Sequence, residues 1–211
     1  MSLPNWPQQL SYSGDMRSRA IVLVSLALAA FPPRTVAAQR REATGLWYSV
    51  GVAPGWARVT CGLCAGRRKT GLSALLGVGG STSRAVRIGA ELAGWRQREG
   101  GVTQTLLSFG AAAYWYPNVG RQLYLRGGAA LVMHRTNDGT DVITSSGIGP
   151  QFGIGYEYLV SRVWRLAPFV YYSVGAFAGD VNFNGGQAAS GATVSFLQVG
   201  ASLTRRMSNN Q

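Results

Sequence analysis

Apolar and polar residues alternate with a period of two along most of this chain, and the alternation recurs in separate segments. Residues 147–158 show it most plainly. Ile148, Pro150, Phe152, Ile154, Tyr156 and Tyr158 share one parity, and Gly147, Gly149, Gln151, Gly153, Gly155 and Glu157 share the other. A strand puts these sets on opposite faces. One face is continuous, apolar and aromatic; the other is small, polar and charged. That partition suits a strand held between lipid and a narrow polar lumen.

The pattern predicts eight strands. The first is expected over Leu46 to Ala53, with Leu46, Tyr48, Val50 and Val52 toward lipid and Trp47, Ser49 and Gly51 inward, followed by a long loop from Pro54 to about Lys69. The second, about 70–79, turns Leu72, Ala74, Leu76 and Val78 outward. The third, about 84–95, turns Val86, Ile88, Ala90 and Leu92 outward and Arg87, Gly89 and Glu91 inward, and a polar loop is expected at 96–101. The fourth, about 102–116, groups Leu107, Phe109, Ala111, Ala113 and Trp115 on one parity before a tight turn at Pro117-Asn118-Val119-Gly120. The fifth, about 122–134, turns Tyr124, Arg126, Gly128, Ala130 and His134 inward, and a polar loop is expected at 135–145. The sixth is the segment at 147–158. The seventh is expected at about 164–178 and the eighth at about 192–205, with a Gly- and Asn-rich loop between them. With a periplasmic N-terminus, the short connections become periplasmic turns and the long ones surface loops. Aromatics near the strand ends (Trp47, Tyr48, Trp95, Tyr114 to Tyr116, Tyr156, Tyr158 and Trp164) suggest girdles at headgroup depth.

The segment before the first strand changes the picture from a sheet to an exported sheet. Met16-Arg17-Ser18-Arg19 is a basic start, Ala20 to Phe31 is a short apolar core, and Val36-Ala37-Ala38 offers small residues for cleavage. This reads as a signal peptide over residues 1–38, cut near Ala38–Gln39, with Met16 as the expected true start. The remainder, residues 39–211, suits an eight-stranded barrel. No later segment resembles a spanning helix, because Gly, Arg, Ser or Gln interrupts every apolar run. The formal charge of +12 would ordinarily raise nucleic acid as a partner. Export argues against that and favours outer-membrane lipid and lipopolysaccharide, or simply solvated loops.

Three stretches resemble the small outer-membrane β-barrel domain family of Gram-negative bacteria: 45–51 (GLWYSVG), 149–156 (GPQFGIGY) and 196–204 (FLQVGASLT). The resemblance covers about residues 39–205 and implies an all-β, eight-stranded, antiparallel up-and-down transmembrane barrel in the outer membrane, inserted by the barrel assembly machinery. Many members end on an aromatic residue that this machinery reads. Here the last strand is followed by Arg205-Arg206-Met207-Ser208-Asn209-Asn210-Gln211. The family is functionally heterogeneous, so the fold does not carry a function.

Candidate chemistry is sparse. Arg87, Glu91, Arg126 and Glu157 share the lumen parity, and ions in a narrow barrel must pair, so Arg87 or Arg126 is expected to meet Glu91 or Glu157. Such a network is either a packed polar plug or a gate for small solutes. Cys61 and Cys64 form a C-x-x-C in the first loop, which reads as a loop-stapling disulfide, as free thiols, or as a redox or metal pair. Arg67-Arg68-Lys69 beside it would reach the outer surface and lipopolysaccharide phosphates, or a solvated loop tip. Some small barrels are lipid-modifying hydrolases that use a His and a Ser two residues later. Here the triplet is His134-Arg135-Thr136, with Asp138, Asp141 and Glu157 as candidate acids. The expected role is therefore non-enzymatic and cofactor-free: structural, surface-interacting or passing small solutes. A lipid hydrolase centred on His134 and a soluble periplasmic ligand-binding barrel are the alternatives.

Overall fold

The computed structural model describes residues 45–61, 64–118 and 122–207. The expected leader at 1–38 lies outside them. The described strands are β1 (Leu46–Cys61), β2 (Cys64–Ala65), β3 (Lys69–Ser81), β4 (Val86–Glu99), β5 (Val102–Trp115), β6 (Leu123–Asn137), β7 (Val142–Tyr156), β8 (Tyr158–Leu159), β9 (Trp164–Gly175), β10 (Phe177–Phe183), β11 (Gly186–Ser190) and β12 (Thr193–Arg206). Eight of these form a closed antiparallel ring in the order β1, β3, β4, β5, β6, β7, β9, β12. β12 pairs back onto β1 from Trp47↔Arg206 to Thr60↔Thr193, and β7 pairs with β9 from Gln151↔Ser173 to Gly155↔Phe169. The ring therefore has no free edge at membrane depth, which is the condition for a sheet to sit in hydrocarbon. The hairpin β10–β11 rises from the rim and pairs with β7.

The outer surface is apolar. Leu46, Val50, Val52, Leu72, Leu76, Val78, Ile88, Phe109, Phe152 and Ile154 are all exposed, on the parity expected for lipid. Water would not tolerate such a belt, whereas a bilayer requires it. Leu76 sits between Val50 on β1 and Leu92 on β4, in the middle of the belt. Leu76→Arg is expected to destabilise the barrel in lipid vesicles by about 2–4 kcal/mol. A denaturant titration showing no loss would remove this surface from the bilayer centre.

Inside, the barrel is packed in two apolar layers. One contains Trp47, Ala112, Tyr114, Tyr116, Tyr124 and Ala167. The other includes Leu75, Trp95, Leu106, Val132, Phe169, Tyr171 and Phe196. Glycine makes room for the largest rings. A Cβ on Gly89 or Gly79 would lie 2.5 or 2.8 Å from the Trp47 ring, so the indole can lie flat against β3 and β4 only because those positions carry no side chain.

The strands run further than the alternation predicted. Pro54–Cys61 is strand rather than loop, as are 96–99, 135–137, 142–145, 179–183 and 186–190. The outward face turns polar at Arg58, Arg96 and Arg135, so the apolar signal ends there while hydrogen-bonded pairing continues into water. Two connections shrink to tight turns as a result. Gly100 and Gly101 adopt φ of 58° and 82° between β4 and β5, and Asn184 and Gly185 adopt φ of 48° and 87° between β10 and β11.

The aromatic girdle also needs correction. Trp47, Trp95, Tyr114 and Tyr116 are buried in the lumen. Tyr48, Trp115, Tyr156, Tyr158 and Trp164 remain on the outer side, where Tyr48 packs edge-on to Trp164 at 6.0 Å and Tyr156 against Tyr158 at 4.8 Å. Neighbouring residues in a strand face opposite ways, so a sequence cluster of aromatics divides between lipid and lumen.

Candidate functional site: the lumen and its charged plug

The lumen charges stand at two levels. Near the rim where β1 begins and β12 ends (the rim expected to be periplasmic), Glu157 follows β7, and its backbone N–H donates to the Gln122 carbonyl at 2.9 Å. Its carboxylate is almost fully buried and accepts from four side chains. Arg87 donates in bidentate fashion, Nη1 to Oε1 at 2.6 Å and Nη2 to Oε2 at 3.3 Å. The Tyr116 hydroxyl donates at 2.8 Å, Arg165 Nη1 lies at 3.3 Å and Arg206 Nη2 at 3.4 Å. The Arg87 guanidinium also lies over the Tyr116 ring, 4.4 Å from its centroid.

Arg126 and Glu91 form the second level. Register explains why they meet. Arg87, Tyr114 and Arg126 stand in one row across β4, β5 and β6, so Arg126 reaches Glu91 four residues further along β4. Gly153 beside Arg126 leaves space for its stem, since a Cβ there would lie 2.8 Å from the Arg126 Cγ. Arg126 Nη1 is 2.9 Å from Glu91 Oε1, and the Tyr114 hydroxyl donates to the same oxygen. The guanidinium stacks over Tyr171 at 4.0 Å. Tyr171 in turn donates to Gln151 Oε1 at 2.8 Å, and Gln151 Nε2 donates to the Ala111 carbonyl at 2.9 Å.

The structure thus brings together Arg87 with Glu157 and Arg126 with Glu91. Arg165 and Arg206 are additional members that the sequence reading omitted. Both lie on the inward parity of their strands, with Ala167 and Phe169 after Arg165, and Ser202 and Thr204 before Arg206. Extending the alternation to the strand ends identifies them. Above the charges, Trp95 Nε1 donates to the Gly55 carbonyl at 3.0 Å, and His134 faces the Trp95 ring at 6.3 Å. The residual cavity between the two charged levels is about 20 Å³, room for about one water.

The acids proposed as partners of His134 are engaged elsewhere. Asp138 Oδ1 accepts the backbone amides of Asp141 and Thr140 at 2.8 and 3.0 Å, which hold its carboxyl below the usual carboxylate range. Asp141 accepts from Asn184 at 2.8 Å, and Glu157 is held among arginines at the opposite rim. A hydrolase needs base, nucleophile and orienting acid within mutual reach, so this arrangement does not favour that alternative. Among the described residues, no three metal-ligating side chains converge. Cys61 and Cys64 are opposed in the β1–β2 pairing; the Cys64 side chain lies outside the described residues. Of the basic loop, Arg67 and Arg68 are exposed, while Lys69 pairs with Glu99 at 2.9 Å.

A closed eight-stranded ring, a lipid-facing belt and a filled lumen define the class: a transmembrane β-barrel of the outer-membrane type, located in the outer membrane. Solved structures of outer-membrane proteins are similar to this chain, and the first of them supports the fold. Neisserial surface protein A (NspA) superposes with a TM-score of 0.52 at 17% identity, covering 76% of this chain and 97% of that one. Ail, the attachment invasion locus protein of Yersinia pestis, gives 0.47 at 14% identity over 76% and 99%. Outer membrane protein OprG from Pseudomonas aeruginosa gives 0.47 at 11% identity over 80% and 99%. No family model and no curated protein matches the sequence.

Proposed function

We propose that this protein is a sealed, non-catalytic barrel that acts through its outer surface, holding the phosphate-bearing lipopolysaccharide of the outer leaflet. The observation that carries this reading is the row of outward arginines where the apolar belt stops. Arg58, Arg96, Arg98 and Arg135 are exposed on β1, β4 and β6, and Arg96 and Arg135 both pair with Thr105 from either side. Arg67 and Arg68, on the connection from β2 to β3, are exposed as well. The acids Asp138, Asp141 and Asp180 lie beyond Arg135, on the β6–β7 connection and on β10. Guanidinium groups at headgroup depth are suited to phosphate, which they bind by paired hydrogen bonds. The small lumen cavity supports a sealed interior over solute passage.

The test compares the wild type with an Arg96→Gln, Arg98→Gln, Arg135→Gln triple variant for binding to lipopolysaccharide micelles. Removing the three charges is expected to weaken binding about tenfold, near 1.4 kcal/mol. Dephosphorylated lipid A should bind both forms equally. Equal binding of both forms to phosphorylated lipid would overturn the proposal. In planar bilayers the wild type is expected to give no steady conductance, and a stable open channel would favour solute passage instead.

A further inference from the structure

The two charged levels of the lumen do not balance. Arg87, Arg126, Arg165 and Arg206 converge there with Glu91 and Glu157, which leaves an excess of two positive charges among the described residues. Several buried N–H groups also lack an acceptor: Arg126 Nε and Nη2, Trp47 Nε1 and Arg206 Nε. Each orphaned buried donor costs on the order of 1–3 kcal/mol, and more when charged. The cavity of about 20 Å³ is lined by two of these residues, Trp47 and Arg126, with Arg87, Tyr124, Glu157 and Thr204 among the others. Arg126 is itself nearly inaccessible, at 5% exposure.

We propose that this cavity binds one monatomic anion, chloride under ordinary conditions, between the Arg87–Glu157 and Arg126–Glu91 pairs. The volume admits a particle the size of a water and excludes phosphate, sulfate and carboxylates. A water there could donate to the hydroxyls of Ser49, Tyr124, Ser202 and Thr204, but it would leave the charge excess unanswered. A halide accepts from every donor and answers the charge. Entry is from the periplasmic rim, where the Arg165 and Arg206 side chains keep 22% and 25% exposure. Bound there, the ion completes the plug that the two carboxylates leave unfinished.

The experiment uses the refolded barrel in detergent with bromide as the probe. Crystals grown in sodium bromide should show an anomalous peak in the cavity within hydrogen-bond distance of Arg126. In solution, the thermal midpoint should rise with chloride or bromide, level off at saturation, and not rise with gluconate at equal ionic strength. Trp47→Phe preserves a ring against Gly79 and Gly89 and removes one donor. It should keep the heat-dependent gel shift of a closed barrel while weakening the halide dependence several-fold. Density without anomalous signal, equal midpoints in halide and gluconate, or an unchanged halide dependence in Trp47→Phe would each overturn the site. None of these outcomes bears on lipopolysaccharide binding.

Discussion

Glu157→Ala is expected to lower the unfolding free energy by about 3–5 kcal/mol, the loss typical of removing one partner from a buried ion pair. The carboxylate is the single anion shared by Arg87, Arg165 and Arg206. Without it three guanidinium groups face one another, and Arg87 stays buried with only the Tyr116 ring beside it. Glu157→Gln keeps the shape and some hydrogen bonds but not the charge, so it should fall between wild type and alanine. Urea unfolding in lipid vesicles measures both, provided the slope with denaturant is unchanged. A loss below about 1 kcal/mol for alanine would mean that the cluster contributes little beyond Coulomb attraction screened by water.

Arg126→Met and Glu91→Leu should each destabilise by a similar about 3–5 kcal/mol, because each strands its partner in the lumen. The double replacement is expected to cost much less than the sum. It removes both ions together and leaves apolar groups among Tyr114, Tyr171 and Leu75. A double-mutant cycle reads the difference directly, and a coupling of several kcal/mol is expected for side chains in contact at 2.9 Å. Strict additivity would show that the two residues are stabilised by their aromatic neighbours and not by each other.

The parity of the barrel was legible from the sequence because lipid and lumen impose opposite demands on adjacent residues. Leu72, Ala74, Leu76 and Val78 point outward, and Arg87, Glu91, Arg126 and Glu157 point inward, as the alternation indicates. The strand ends were not legible. Beyond Arg58 and Arg96 neither face meets hydrocarbon, and pairing there is maintained by backbone hydrogen bonds that any residue can make. Aromatic placement failed for a related reason. Tyr114, Trp115 and Tyr116 form one cluster in the chain but face in, out and in. Which arginine meets which glutamate was also closed to the sequence. It depends on register across three strands, which places Arg126 within reach of Glu91 and leaves Glu157 to Arg87.

The Glu157 cluster draws its members from far apart in the chain. Arg87 is 70 residues away and Arg206 is 49. Arg87, Arg165 and Arg206 belong to β4, β9 and β12, and Arg206 stands opposite Trp47 at the β12–β1 seam. These groups can meet only after the sheet has curled far enough to bring β4 across to β9 and β12. The cluster is therefore a latch set at the end of assembly, absent while the strands are still zipping together. Interactions missing from the transition state slow unfolding without hastening folding. The lifetime of the inserted barrel, more than the speed of its insertion, then rests on one carboxylate.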